Sequence, residues 1–362
     1  MQKNNMKKSM LLTLAASIIT LVFCTSVFAA DFPQRIASEK RSEKDGVGQK
    51  EISLMQRVPG AGKDVVSKKI MRQFLNSKTA ITTQGISKSK TKGKTLSVTG
   101  AGWLLDVNED GSNVRYRNYR YLESKKELAR PVAQRLSNEK LEALGREFIS
   151  KNLSEYVKLG KNEEIIPFFT EHAIGFSGEA KEGATKLEEK VYGSTIVFTR
   201  FVNKVNVVGP GSKIAVMFNN AGEAVGFDYD WPQYKMIDKS QKVLPVEGIR
   251  SRSNKLTRVS LDSPNVKIKR FDCGLYDAGA RRHDPKSVVQ SACQISYYEK
   301  KIVDKKAYEM DKNSGHIMSA YIDYIPAGEV IEKDMKWSQA MKLLNLKERN
   351  DLPAPLDGPK KK

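Results

Sequence analysis

The stretch Tyr192–Pro232 restricts the fold more than any other part of the chain. In Lys213–Phe218, Ile214, Val216 and Phe218 alternate with Lys213, Ala215 and Met217; after Asn219–Gly222 the alternation resumes at Val225, Phe227 and Tyr229. Successive side chains of a strand point to opposite faces, so this reads as a hairpin with one strongly apolar face and one solvated face. Asn and Gly supply the positive φ angles of its turn. Upstream, β-favouring residues lead into a tight Asn203-Lys204 connection, and Gly209-Pro210-Gly211 breaks the strand after it. Trp231-Pro232 closes the unit, because proline offers no ladder N–H.

Around this hairpin the pattern switches between periods. Trp103–Val107 and Val114–Tyr121, joined through Asn108–Gly111, read as another hairpin, with Arg115, Arg117, Tyr119 and Tyr121 on one face and Arg120 on the other. Ser137 caps a helix whose stripe is Leu141, Leu144, Phe148 and Ile149, and this feeds a strand over Glu164–Phe176. Pro245 opens a weaker helix with Val246, Ile249, Ser253 and Leu256 on one side. Strands follow at Asn265–Cys273, Cys293–Tyr298 and His316–Ile325, then a short helix carrying Trp337, Met341 and Leu344. Helices set apart from runs of strands imply an α+β fold, with helices packed on antiparallel sheets in two successive helix-plus-strands modules.

The ends differ from this middle. Residues 1–29 carry Lys3, Lys7 and Lys8, then the apolar run Met10–Phe23, then Val27-Phe28-Ala29, which is the pattern of an export signal cleaved after Ala29. Cys24 follows Phe23, where a lipoprotein signal wants a small residue, so the signal is expected to be discarded with its cysteine. Lys+Arg then falls from 62 to 59 against 42 Asp+Glu, and the mature chain remains strongly basic. Residues 30–95 hold much of that charge and are expected to be largely disordered, above all at Ser87–Lys94. One amphipathic helix fits Asp64–Leu75, with Val65, Ile70, Phe74 and Leu75 as its apolar positions. The modules are then expected at 96–235 and 236–348, followed by a basic tail at 349–362. Cys273 and Cys293 remain after export, and an isolated pair in an exported chain is expected to form a disulfide; closing a loop of about 20 residues contributes roughly 3 kcal/mol.

Phe198–Gly209, Ile214–Val216 and Asn220–Val225 together resemble the FTP module found in propeptides of thermolysin-like and fungalysin-like metalloproteases. Ser291–Tyr298, taken as a helix, and Ala320–Asp323 are similar to the PepSY module that often follows it. The resemblance spans about residues 135–335. The Gly209–Ser212 corner and the cysteine-bounded loop with Asp277, Arg281, Arg282 and His283 depart from it. It implies a free-standing envelope domain without a peptidase domain, one that binds, inhibits or chaperones a protein rather than catalysing a reaction.

The sequence carries no catalytic signature either. The three histidines, His172, His283 and His316, are not spaced as a zinc-binding helix. No Gly-x-Ser-x-Gly elbow occurs, and Gly60-Ala61-Gly62-Lys63 lacks the phosphate-loop spacing. Asp323 with Glu329 reads as a solvated turn edge rather than a catalytic carboxylate pair, and Asp228 with Asp230 as a solvated turn edge rather than a shared cation site. No catalytic residue, metal site or cofactor is therefore expected. The leading expectation is a non-catalytic protein-binding module whose partner is another envelope or secreted protein, with no integral membrane span once the signal is gone. The alternative is a cationic binder of anionic polymers. The expected contact surface is Arg115, Arg117, Arg120, Arg281, Arg282 and His283: the protein-binding reading would use sheet edges and the Cys273–Cys293 loop, and the polymer reading the arm at 63–94 with Arg115, Arg117 and Arg120.

Overall fold

The central hairpin forms as the alternation requires. The structure is a computed structural model, which describes residues 51–75, 88–92, 95–100, 102–119, 129–177, 188–257, 259–280, 288–312 and 314–328. The expected signal with Ala29, the helix at Trp337–Leu344 and the basic tail lie outside the described residues.

In chain order the strands are β1 (Glu51–Val58), β2 (Lys88–Lys92), β3 (Thr95–Gly100), β4 (Trp103–Asn108), β5 (Asn113–Asn118), β6 (Arg130–Pro131), β7 (Glu163–Ser177), β8 (Glu188–Val202), β9 (Val205–Val208), β10 (Lys213–Phe218), β11 (Ala224–Asp230), β12 (Gln233–Lys242), β13 (Val266–Tyr276), β14 (Val288–Ile302) and β15 (His316–Pro326). The helices are α1 (Lys63–Leu75), α2 (Asn138–Phe148), α3 (Val246–Leu256) and α4 (Lys305–Met310). A π-helical turn at Ile149–Leu153 continues α2.

The expected α+β fold in two successive modules is not what forms. The described chain is 54% strand against 21% helix, so helices are the minority element rather than half of each module. The strands join one hydrogen-bonded network in the order β12-β1-β14-β13-β9-β8-β10-β11-β5-β4-β3-β2, with β15 on β14 and β6 and β7 on β8. The sheet is mixed, because β9 and β13 pair in parallel. Order along the chain misled here: β1 leaves the amino-terminal segment and lies between β12 and β14, so no boundary separates an early module from a late one.

Local chemistry explains the pieces. Asn203 and Lys204 both take positive φ, 50° and 65°, which is the turn that joins β8 to β9 with matched strand twist. Between β10 and β11, Asn219 Oδ1 accepts from Ala221 N and Glu223 N, and Gly222 takes φ 83°. Ser137 Oγ accepts from Lys140 N and caps α2. Ile214, Val216, Phe218, Phe227 and Tyr229 are buried beneath α2, together with Leu141, Phe148, Ile149 and Leu153.

The basic amino-terminal segment, expected largely disordered, supplies part of that core. Val66, Ile70 and Phe74 of α1 are buried in it, while Val65 faces solvent. Phe74 lies 5.5 Å from the Phe227 ring and 5.8 Å from the Tyr116 ring. Lys88–Lys92, read as part of a disordered run, pair with β3. Ser291–Tyr298 lie in strand β14 and not in a helix, as the alternative reading of Cys293–Tyr298 held. α3 begins after Pro245 with Ile249 and Ser253 buried.

Candidate functional site

A buried charge cluster gathers side chains from β1, β12, the end of β11 and the residues just past β13. It starts from a one-residue irregularity. In β1, Ile52 and Leu54 point inward, the register against β12 shifts between Ser53 and Met55, and Met55 and Arg57 then point inward. A bulge moves every later side chain to the other face. Here it buries Arg57 and leaves Val58 exposed.

Arg57 Nη1 donates to Asp277 Oδ1 at 2.6 Å, and Nη2 donates to Asp230 Oδ1 at 2.9 Å and Ser112 Oγ at 3.1 Å. The second oxygen of each carboxylate is engaged as well. Asp277 takes Gly279 N at 2.9 Å and the Tyr234 hydroxyl. Asp230 takes Ala280 N at 2.7 Å and Asn113 Nδ2 at 3.2 Å. Ser212 Oγ lies 2.6 Å from the Tyr234 hydroxyl and donates to it, since Tyr234 itself donates to Asp277. The Gly209–Ser212 corner wraps this carboxylate closely: a Cβ at Gly211 would collide with the Asp277 side chain.

Charge balance follows from this geometry. Burial alone would lower Arg57, but Asp277 and Asp230 outweigh it and hold the guanidinium above its ordinary value. Burial raises Asp230, with Arg57 opposing and Asp277 reinforcing the rise. Burial, then the Asp277 charge, pushes the Tyr234 hydroxyl well up, so it stays a donor. A fully paired buried cluster of this kind ties chain segments together; it offers no unoccupied base or nucleophile.

Arg200 of β8 is buried beside it, with its guanidinium 3.8 Å from the Trp231 ring centroid and 4.8 Å from that of Tyr234. Nη1 donates to Pro232 O at 2.8 Å and lies 3.7 Å from Glu163 Oε1. Nε and Nη2 meet no acceptor among the described residues; the aromatic faces take that place. Next to the cluster opens a cleft of about 460 Å³ lined by Asn113, Arg115, Lys213, Asp228, Asp230 and Tyr324 among others. Lys213 was expected on a solvated face. It is half-buried, and its Nζ donates to Val207 O at 2.8 Å and Gly211 O at 3.2 Å.

The sequence-derived surface is only partly assembled. Arg115 and Arg117 share the outer face of β5, and both converge on Asp228. Arg117 grips it at 2.5 and 2.6 Å, and Arg115 Nε lies 3.6 Å away. That pairing offsets part of the charge a polyanion would use. Tyr119 is exposed, while Arg120, Tyr121, Arg281, Arg282 and His283 lie outside the described residues. Asp230 is buried against Arg57 and is not a solvated edge, while Asp228 is half-exposed and paired with Arg117. Asp323 accepts the Tyr297 hydroxyl at 2.6 Å, and Glu329 lies outside the described residues. Cys273 and Cys293 face each other across β13 and β14 and are joined as a disulfide. His172 Nδ1 lies 2.8 Å from Ser194 Oγ, and burial lowers its pKa. Among the described residues no group of three or more His, Cys, Asp or Glu side chains is placed to hold a metal ion. Arg57, Arg200 and Tyr234 were not singled out from the sequence, and Asp277 stood out only as part of the cysteine-bounded loop. The one available signal was Arg57 at the end of an apolar run in a basic segment.

The sheet edges differ in how they are guarded. β2 is five residues long and carries Lys88, Lys90 and Lys92. β7 contains Pro167 and two register shifts against β8. β12 carries Lys235, Asp238, Lys239 and Lys242. β15 is guarded only at its end, by Pro326: it pairs with β14 at eleven consecutive positions without a shift, and Ile317–Ile322 hold no charge and no proline. Among the described residues no strand pairs with its outer edge. Proteins blunt such edges with short length, lysine, proline or bulges.

No family model matches the chain, and no curated protein matches it. Among solved structures it is similar to an uncharacterized protein from Eubacterium rectale, at 11% identity and a TM-score of 0.43, over 78% of this chain and 87% of that one.

Proposed function

We propose that this chain is an exported, non-catalytic protein-binding module that captures an extended segment of another envelope or secreted protein by strand addition to β15. The observation that carries the reading is the outer edge of β15, long, regular and unguarded over Ile317–Ile322 where the other edges are guarded. Such an edge presents a row of backbone donors and acceptors, and an added strand satisfies them without any catalytic group. The excess of 59 Lys+Arg over 42 Asp+Glu left after residues 1–29 favours an acidic partner. The likeness of Phe198–Val225 to a propeptide module points the same way, since such modules act by binding.

A pair of edge lysines tests it. Ala320 and Ile322 are exposed on one face of β15, so Ala320→Lys with Ile322→Lys guards the edge without removing core packing. The expected outcome starts from a photo-crosslinker placed at Ser319 of the exported protein. It captures an acidic partner identified by mass spectrometry, and the double variant loses that crosslink while its stability changes by less than about 1 kcal/mol. Capture that persists in the double variant would end the edge reading. Crosslinks confined to a second copy of this chain would make β15 a self-association edge instead. The polyanion alternative rests on net charge; binding that collapses as salt rises would favour it, because phosphate contacts are steeply salt-dependent and packed protein contacts much less so.

A further inference from the structure

We infer that the tip of the β14–β15 hairpin, built around α4, inserts into an anionic lipid surface and holds the module there. The tip exposes five large apolar side chains: Met310 is 81% exposed, Val303 62%, Ile317 50%, Ile302 47% and Met318 43%. Single exposed apolar residues are ordinary, but a cluster at one hairpin end marks a contact.

The arrangement selects the kind of contact. Lys300 pairs with Met318 and Lys301 with Ile317. Paired residues share a face and neighbours alternate, so Met318 and Ile317 lie on opposite faces of the same hairpin end. A flat protein surface covers one face. A medium that surrounds an inserted tip covers both.

The charges fit a lipid headgroup layer. Lys306 and Lys312 are exposed around the apolar residues, Lys301 and Lys305 are exposed but each lies in an ion pair of the tip, and Lys267 and Lys269 lie at the adjoining end of β13. Lys300 and Lys312 each approach the Tyr308 ring to 4.5 Å, which places an amphipathic aromatic among the lysines. Lysine stems lie along apolar surface with the ammonium at the headgroups, and tyrosine favours the same depth. The carboxylates of the tip are engaged within it. Asp304 caps α4 at Ala307 N, Glu309 pairs with Lys305 at 3.8 Å, Asp311 accepts from Ser314 Oγ, and Glu299 pairs with Lys301 at 3.1 Å. Among the described residues no helix is long and apolar enough to cross a membrane, so the tip would hold the protein at the interface.

Vesicle flotation of the mature chain tests the inference, using pure phosphatidylcholine and vesicles of one part phosphatidylglycerol to two parts phosphatidylcholine. The expected result is binding to the anionic vesicles, reduced at least about tenfold by Val303→Asp with Met310→Asp. An environment-sensitive dye on Met310→Cys should shift to shorter wavelength only with those vesicles. Both sites are highly exposed, so an unchanged melting curve separates lost binding from lost folding. Because the whole chain is basic, anionic binding that survives the aspartate pair, or a dye that does not shift, would overturn insertion. So would a wild-type chain that floats with neither vesicle. If the aspartate pair instead abolished capture of a β15 partner and left flotation intact, the tip would be a protein contact and the lipid assignment would fall. The Ala320→Lys and Ile322→Lys pair should leave flotation unchanged, so failure of strand capture and failure of lipid binding are read separately.

Discussion

Lys213 shows how a single residue changes meaning once its neighbours are known. Alternation placed it correctly opposite Ile214, but whether that face is wet depends on the Gly209–Ser212 corner and Asp277, which arrive from elsewhere in the chain. Burial depresses the amine from 10.5 to about 7, with Asp277 partly opposing. Between those two values the unfolded chain binds more protons than the native one, so stability rises with pH across that window. Each unit of depression corresponds to about 1.4 kcal/mol, and the half-buried stem admits water; a rise of about 1–2 kcal/mol from pH 7 to 9.5 is therefore expected. Lys213→Met removes the titrating group and should flatten the urea-derived stability over that range. Parallel slopes for the two proteins would refute the buried amine. Val216 and Phe227, by contrast, were legible in the sequence, because a face rule needs only local alternation and both carry the core it predicts.

At the scale of elements, α1 and β1 were the hardest to read. Net charge and few aromatics marked their segment as a solvated arm, and that reading averages over residues that act separately. The four-residue repeat Val66, Ile70, Phe74 was present, but it was shifted by one at Val65, which is exposed. In β1 the bulge interrupts the alternation after two inward residues, so period two never becomes visible. The hairpins at Asn203-Lys204 and Asn219–Gly222 were legible for the opposite reason: their turn chemistry is local and specific. Docking of α1 is checked at Phe74, which is enclosed by Tyr116 and Phe227. Phe74→Ala should cost about 3–5 kcal/mol by chemical denaturation. A loss below about 1 kcal/mol would place α1 outside the core.

For the whole molecule, the question is whether the early and late strands can unfold apart. Their ladder contact is slight: β9 and β13 pair at Leu275 with Val207 and at Tyr276 with Val208. Two further ties run through β1. Its backbone lies between β12 and β14, while the helix that follows it packs beneath β4, β5 and β11. Its Arg57 holds Asp230 at the end of β11 and Asp277 just past β13 in one buried cluster. None of this was legible in the sequence, because pairing between distant strands leaves no periodic trace. A chain tied in this way should melt in one transition, with calorimetric and van't Hoff enthalpies in agreement. Arg57→Met removes the shared cation and leaves two carboxylates buried, one of them already raised by burial. Breaking such a cluster costs about 3–5 kcal/mol, and here that cost falls on the junction, so the melt should broaden or divide in two. Adding Asp230→Asn and Asp277→Asn removes the stranded charges and should recover part of the stability. Arg57→Met that melts in one sharp transition at the wild-type temperature would show that the cluster does not couple the halves, and the β1 backbone would then have to tie them alone.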